Sequence, residues 1–120
     1  MNLVIEPKRG EVWWAHLGGN QGSEQGYLRP VVIVQNDTGN LYSPTVIVAA
    51  VSHSKRCDLP IHVPLGKEYS LQKESVVLLE QIRTIDKSRL RTCLTRLTDQ
   101  DLFAVDEALK VSLGLAVEVS

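Results

Sequence analysis

A glycine-rich polar loop that leads directly into an apolar strand limits the folds open to this chain. The segment from Gly22 to Asp37 has the sequence GSEQGYLRPVVIVQND. Its β-branched run favours a strand inside a sheet, whereas four glycines among the ten residues Gly18–Tyr27 favour an exposed hairpin loop. Arg29 lies at the junction. The pattern therefore places one cation at a strand edge, where it can bind a polyanion.

Other apolar and alternating runs predict further strands around this one. The predicted strands cover Gly10–Leu17, Pro30–Gln35, Thr45–Ser52, Ile61–Pro64, Ser75–Leu79, Gln81–Thr84 and Thr92–Leu97. Thr45–Ser52 is apolar almost throughout, so we expect this strand to be buried on both faces. The segment Asn36–Asn40 combines asparagine, aspartate and glycine, which favours a turn.

One helix has clear start and stop signals and is predicted over Asp99–Leu113. Thr98 is a suitable N-cap, Leu97 and Leu102 occupy the positions of a hydrophobic staple, and Gly114 suits a left-handed C-cap. The face that we expect to pack on the sheet contains Leu102, Val105, Leu109 and Leu113. Short strands with one terminal helix predict a mainly β fold, a small twisted barrel, in a single domain over residues 1–120.

The charge of the chain is divided unevenly along its length. The net charge is −1, but residues 98–120 carry five acidic side chains against one lysine, so this segment is −4 and residues 1–97 are +3. Five basic side chains lie within Gln81–Leu97: Arg83, Lys87, Arg89, Arg91 and Arg96. A basic face of this kind suits salt-dependent contact with phosphates, although a solvated rim of charges has the same composition.

Several classes of protein do not match the sequence. The start, MNLVIEPKRG, has neither the charge pattern of a signal peptide nor the apolar length of an anchor, so we expect a cytoplasmic protein without membrane contact. Cys57 and Cys93 are then free thiols. No metal site and no cofactor are expected, because the glycines match no phosphate-binding motif and the histidines lack partners at ligand spacing. These histidines are His16, His53 and His62.

Four segments together resemble the MazF/PemK/Kid family of toxin–antitoxin endoribonucleases. They are the GSEQ…RP segment, RGEVW from Arg9, SPTVIVAA from Ser43 and LLEQIRTID from Leu78, in the order and spacing of that family. The likeness runs from about Lys8 to Leu115. It implies an SH3-like barrel with a peripheral helix, as in MazF, Kid and the gyrase poison CcdB.

The resemblance also implies an activity. The chain would be the toxin of a type II toxin–antitoxin pair, a sequence-specific and metal-independent endoribonuclease that cleaves single-stranded mRNA. The 2′-hydroxyl of the RNA would be the nucleophile, and the products would be a 2′,3′-cyclic phosphate and a 5′-hydroxyl. A homodimer would bind RNA across the subunit junction, where an acidic, MazE-like antitoxin would block it. The alternatives are a CcdB-like gyrase poison and a non-catalytic RNA-binding barrel.

Arg29 and Ser52 are the candidate catalytic residues. The Arg29 guanidinium can grip two phosphate oxygens and stabilise the transition state; the alternative is a salt bridge at the barrel rim. Ser52 stands where well-studied relatives have a threonine. It keeps the hydroxyl that could orient the phosphate and loses a methyl that restricts the rotamer. The alternative for Ser52 is a strand-terminal turn cap.

The candidate RNA-binding residues fall in three places. Tyr27 and His53 could stack on unpaired bases, since RNA readers use aromatic side chains in this way. The tryptophans Trp13–Trp14 are interpreted instead as core and dimer surface. The remaining candidates are Ser23, Glu24 and Gln25 on the glycine-rich loop, and Glu80, Gln81 and Arg83 near a strand junction. A plain exposed loop and a simple Glu80–Arg83 ion pair are the alternatives for these two groups.

Overall fold

The computed structural model describes residues 6–18, 28–53, 59–71 and 74–115, which form one curled antiparallel sheet with helices beside it. The elements in chain order are β1 (Glu11–His16), β2 (Leu28–Ile33), α1 (Asp37–Tyr42), β3 (Thr45–Ser52), β4 (His62–Leu65), β5 (Ser75–Asp86), β6 (Leu90–Arg96) and α2 (Asp99–Ser112). Short 3₁₀ turns cover Lys67–Tyr69 and Lys87–Arg89. The strand order is β4-β5-β3-β2-β1-β6. The predicted mainly β class with a C-terminal helix is confirmed.

Two apolar clusters cover the two faces of the sheet. One lies beneath α2 and includes Val12, Val32 and Ala49. The other includes Val31, Ile33 and Val48 on the opposite face. Residues 30–34 are all buried, because alternate residues of β2 point into different clusters. This two-sided burial explains the unbroken apolar run that follows Arg29. In β3 the expectation of two-sided burial is met only in part, since Ile47 is 37% exposed.

The prediction of separate strands over Ser75–Leu79 and Gln81–Thr84 is wrong. Both belong to β5, which bends where Ala49 pairs with Ile82 and the next residue, Ala50, pairs with Leu78. Residues 79–81 are thus extra residues opposite β3, an enlarged form of a β-bulge. The bend lets the first half of β5 pair with β4 while the second half pairs with the start of β3.

The predicted turn at Asn36–Asn40 is also wrong, because the chain forms the short helix α1 there. The side chain of Asn36 caps this helix by accepting a hydrogen bond of 2.8 Å from the Gly39 N–H. The amide of Asn40 is buried and donates to the Gln35 carbonyl at 2.9 Å. Asparagine and aspartate favour turns and helix N-caps alike, so composition did not distinguish the two outcomes.

The helix α2 begins and ends almost as predicted. The Thr98 hydroxyl accepts from the Asp101 N–H at 3.1 Å, and Gly114 adopts φ +73° in the left-handed region. The buried residues are Val105 and Ala108, whereas Leu113 is 51% exposed, so its predicted place on the packed face is wrong. Leu113 follows the last helical residue, where the chain is turning away. Within the described residues no helix is long and apolar enough to cross a membrane.

Candidate functional site

The pairing of β2 with β3 brings Arg29 and Ser52 together. Val31 pairs with Ala50, and Ile33 pairs with Val48. Arg29 and Ser52 each lie two residues beyond Val31 and Ala50, the last pair of this register, so both stand at the same end of the two strands. Because alternate residues share a face, both side chains lie on the face of the sheet that carries Val31 and Ala50. The two candidate catalytic residues are 23 positions apart in the sequence but lie at the same end of two neighbouring strands.

A cleft of about 520 Å³ lies at this end of the sheet and is lined by both residues. His53 and Gln81 supply its other polar side chains, and Trp14 and Leu28 supply part of its apolar wall. The cleft thus combines a cation, a hydroxyl, an imidazole and an amide around one open space. These groups can bind and orient an anionic, partly aromatic ligand.

Arg29 keeps its charge available at the edge of β2. The residue is exposed, and its Nη1 donates to the carbonyl of the preceding Leu28 at 2.8 Å. Within the described part of the chain Arg29 forms no ion pair. The alternative of a rim salt bridge therefore finds no partner among those residues. A guanidinium has five N–H donors, so one internal bond leaves it able to bind a phosphate.

Ser52 ends β3 and is half-buried, opposite Val76 of β5. The next residue, His53, is exposed, and its Nδ1 lies 3.2 Å from the Ser75 hydroxyl. This contact holds the imidazole against β5 at the wall of the cleft. Ser52 and His53 therefore both line the cleft, and their proposed roles in cleavage and base stacking stay predictions.

The three candidates in β5 do not act as one group. Gln81 lines the cleft, whereas the Glu80 carboxylate lies 3.0 Å from Nε2 of His62 in β4. Arg83 lies beyond the bend, exposed and opposite Val48. The bulge at residues 79–81 separates these side chains. Four further candidates, Ser23, Glu24, Gln25 and Tyr27, lie outside the described residues, as does Cys57.

Two residues near the cleft were not singled out by the sequence. Trp14 lines the cleft, although the tryptophan pair was interpreted as core and dimer surface. Trp14 pairs with Pro30, so strand alternation turns it to the face of the sheet opposite that of Arg29, and the cleft is lined by residues of both faces. The sequence alone held no signal of this place, because it depends on the register of β1 with β2. Arg89 donates from Nη1 to the carbonyls of His16 at 3.2 Å and Gly18 at 2.9 Å. It thereby ties down the end of β1 beside the cleft.

Comparison with known proteins identifies the family. Residues 8–113 match the model of the PemK-like, MazF-like toxins of type II toxin–antitoxin systems. Endoribonuclease MazF of Staphylococcus epidermidis is 56% identical over 110 residues, which cover 90% of this chain and 92% of that protein. The match includes both strands that carry Arg29 and Ser52.

Solved structures with the same fold include toxins bound to antitoxins. A mycobacterial endoribonuclease in complex with its cognate antitoxin has a TM-score of 0.79 at 26% identity and covers 93% of this chain and 99% of that chain. A MazE–MazF complex from Deinococcus radiodurans has a TM-score of 0.76 at 20% identity, with 94% and 100% covered; at that identity it shows the fold alone. The chain belongs to the PemK/MazF family of toxins of type II toxin–antitoxin systems, the family that its four sequence segments resemble.

Proposed function

We propose that the chain is a metal-independent endoribonuclease that cleaves single-stranded RNA in the cleft between Arg29 and Ser52. The observation that carries this proposal is that Arg29 and Ser52, at the same end of the paired strands β2 and β3, both line that cleft. Family membership and the Staphylococcus epidermidis endoribonuclease support the same activity. Gln81 and His53, on the same cleft wall, are proposed to contact the bases.

The proposed reaction uses the substrate's own 2′-hydroxyl. The O2′ atom loses its proton and attacks the adjacent phosphorus, and the bond from phosphorus to O5′ breaks. O5′ takes up a proton, so the products are a 2′,3′-cyclic phosphate and a 5′-hydroxyl. Negative charge grows on the phosphoryl oxygens as the new bond forms, and Arg29 stabilises that charge electrostatically. The Ser52 hydroxyl orients the scissile phosphate against it.

The experiment is cleavage of a mixed-sequence single-stranded RNA by the purified chain in excess EDTA, with sequencing of 5′-hydroxyl ends. We expect cuts at a defined short motif, and no cut where the nucleotide 5′ to the scissile phosphate lacks its 2′-hydroxyl. Activity that needs added magnesium, or cleavage of the 2′-deoxy substrate, would contradict the mechanism. Absence of any RNA cleavage would contradict the function and favour a gyrase poison or a binding module.

We also propose an acidic antitoxin as the partner that blocks this cleft. Structural neighbours have been solved with their antitoxins, and the cleft offers the Arg29 cation beside apolar walls. An acidic tail with large apolar residues would match both features. Calorimetry should show the antitoxin peptide binding free toxin but not toxin preloaded with an uncleavable RNA. Binding of undiminished affinity to the preloaded toxin would mean that the antitoxin does not occupy the cleft.

The toxin is proposed to act as a homodimer with RNA at the subunit junction. Sedimentation should give the mass of two chains at micromolar concentration, and titration should give one RNA strand for each pair of chains. A monomer that binds RNA one to one would overturn this part of the proposal while leaving the cleavage chemistry in place.

A further inference from the structure

A second depression of about 300 Å³ adjoins the cleft on the side of β6. Trp14, Leu28, Arg91 and Thr92 line it. Trp14 and Leu28 also line the larger cleft, so the two spaces share a wall. The family comparison and the proposed chemistry give no role to Arg91 or Thr92.

A β-bulge creates the depression. Trp13 pairs with Cys93 of β6, whereas Ala15 pairs with Leu90, so two residues of β6 stand opposite Trp14 alone. These two residues are Arg91 and Thr92. Bulges re-aim side chains and are common next to active sites. Because β6 is an edge strand of the sheet, both residues are exposed beside the indole of Trp14.

The chemical groups in this depression are those that bind one unpaired nucleotide. An indole offers a surface for stacking of any base, and a guanidinium offers a positive charge for phosphate. Arg91 donates from Nη1 to the Ser88 carbonyl at 2.7 Å, which anchors the guanidinium without using its other nitrogens. It forms no ion pair within the described residues. The Thr92 hydroxyl could meet a base edge.

Arg91 stands two strands away from the proposed reaction site. Arg29 lies on β2 and Arg91 on β6, with β1 between them. Two strand spacings of about 4.8 Å put the two backbones roughly 10 Å apart. A phosphate held by Arg29 is therefore out of reach of Arg91 unless both long side chains converge on it. Arg91 is better placed for a neighbouring phosphate of the same strand.

We propose that this depression is a subsite for a nucleotide that flanks the cleaved step, with its base stacked on Trp14 and its phosphate paired with Arg91. The inference rests on the proposed function. It adds one contact, so that the protein binds a further nucleotide of the RNA on the side of β6. Continuity with the cleft, where RNA is proposed to bind, favours RNA at this position. The charge of Arg91 also suits an acidic peptide, and the test below separates the two ligands.

The test compares short and extended RNAs. Once the cut site is mapped, uncleavable versions with 2′-deoxyribose at that site are made with and without flanking nucleotides, and their affinities are measured at several salt concentrations. For Arg91→Ala we expect the gain from extension to shrink at least fivefold, and the slope of log K against log salt on extended RNA to fall by about 0.7. Trp14→Phe should keep more of the gain than Trp14→Ala.

The control is Arg96→Ala. Arg96 is an exposed arginine on the same strand, but it pairs with Glu11 at the far end of β1. For this variant we expect the ratio of the affinities for extended and short RNA to match that of the wild type. The slope of log K against log salt should match as well. Circular dichroism melting should show that the arginine variants are folded.

Two results would overturn the subsite. In one, Arg91→Ala lowers the affinities for short and extended RNA by the same factor, or it changes neither affinity. In the other, Arg91→Ala leaves the ratio of the affinities for extended and short RNA unchanged but lowers the affinity for an acidic antitoxin peptide. The depression would then be a protein-binding surface. Failure of the proposed function itself is distinguishable, since the wild-type chain would then cleave no RNA of any length.

Discussion

Two arginines, Arg9 and Arg29, lie near strand ends and are used in opposite ways. Arg9 precedes β1 and is held at three atoms. Its Nε donates to the Val34 carbonyl at 2.9 Å, its Nη2 lies 2.6 Å from the Asp106 carboxylate, and its backbone N–H donates to Asp37 at 2.7 Å. The Arg29 side chain, by contrast, bonds only to the carbonyl of the residue before it among the described contacts.

The surroundings of a cation, and not its residue type, decide its role here. Arg9 connects the residue after β2 with α1 and α2, and the Asp106 carboxylate compensates its positive charge. Arg29 lies at the wall of the cleft, and no carboxylate among the described residues forms an ion pair with it. A residue that binds phosphate needs such an available charge. The stabilising contacts of Arg9 and the proposed chemistry of Arg29 thus lie at different ends of the sheet, and each can be tested separately.

The largest expected effects come from exchanging these arginines for alanine. Arg29→Ala should lower the RNA cleavage rate by roughly 10²–10³-fold, because one preorganised donor to transition-state charge has about that effect. Its free energy of unfolding should stay within about 0.5 kcal/mol of wild type. Arg9→Ala should do the reverse, with about 1–2 kcal/mol of stability lost and the rate per folded molecule retained. Urea unfolding and single-turnover cleavage measure the two quantities.

Arg29→Lys is the matched control for charge. It keeps the cation but loses the planar fork, so we expect a rate between those of the wild type and Arg29→Ala. If Arg29→Ala kept more than about a tenth of the wild-type rate, its share of the barrier would be below about 1.4 kcal/mol. The proposal that Arg29 stabilises the transition state would then be withdrawn, and Arg29 would differ from Arg9 only in its structural contacts.

The next effect concerns the Ser52 hydroxyl, at the cleft that Arg29 also lines. Ser52→Ala should lower the maximal rate by about tenfold or more with little change in RNA affinity, because the hydroxyl is proposed to act at the phosphate during the reaction. Ser52→Thr should keep or raise the rate, since it preserves the hydroxyl and restricts its rotamer. Normal cleavage by the alanine variant would reduce Ser52 to a strand-terminal turn residue.

The sequence predicted the elements that carry the site better than it predicted their arrangement. The apolar runs located β2 and β3, and the polar residues at their ends pointed to Arg29 and Ser52. The bend of β5 was missed, because a charged residue inside an apolar run looks like a strand end. The role of Trp14 and its depression was missed as well. Both depend on which strands pair and in what register, information that no single segment contains.

A third prediction uses that bend, which sends two adjacent side chains to different places. Gln81 lines the cleft with Arg29, while Glu80 is hydrogen-bonded to His62. Gln81→Ala should lower cleavage several-fold through loss of a polar contact to RNA, worth about 1 kcal/mol. Glu80→Ala should leave the rate within about twofold. Parallel assays on one RNA are sufficient, and an equal loss in both variants would mean that the two side chains reach the substrate together.

The smallest expected effect tests the anchoring of Arg9 through pH. The Arg9 backbone N–H donates to the Asp37 carboxylate, and Asn40 donates to it as well. These bonds, the first above all, lower the pKa of Asp37 below its usual range. A lowered folded-state pKa means that the carboxylate stabilises the fold above its unfolded pKa of about 3.9, and that this contribution is lost as pH falls through the folded value.

Asp37→Asn isolates that contribution, because the amide oxygen can still accept from Arg9 but carries no charge. The wild type should exceed this variant in stability at pH 7 by less than about 1 kcal/mol, since the carboxylate is exposed and screened by solvent. The difference should shrink as pH falls below about 4, and Glu68→Gln, a change at another exposed carboxylate, serves as the control for the loss of one negative charge. Urea unfolding between pH 3 and 7 measures the difference. A gap that stayed constant or widened on acidification would show that Asp37 stabilises the Arg9 anchor without its charge.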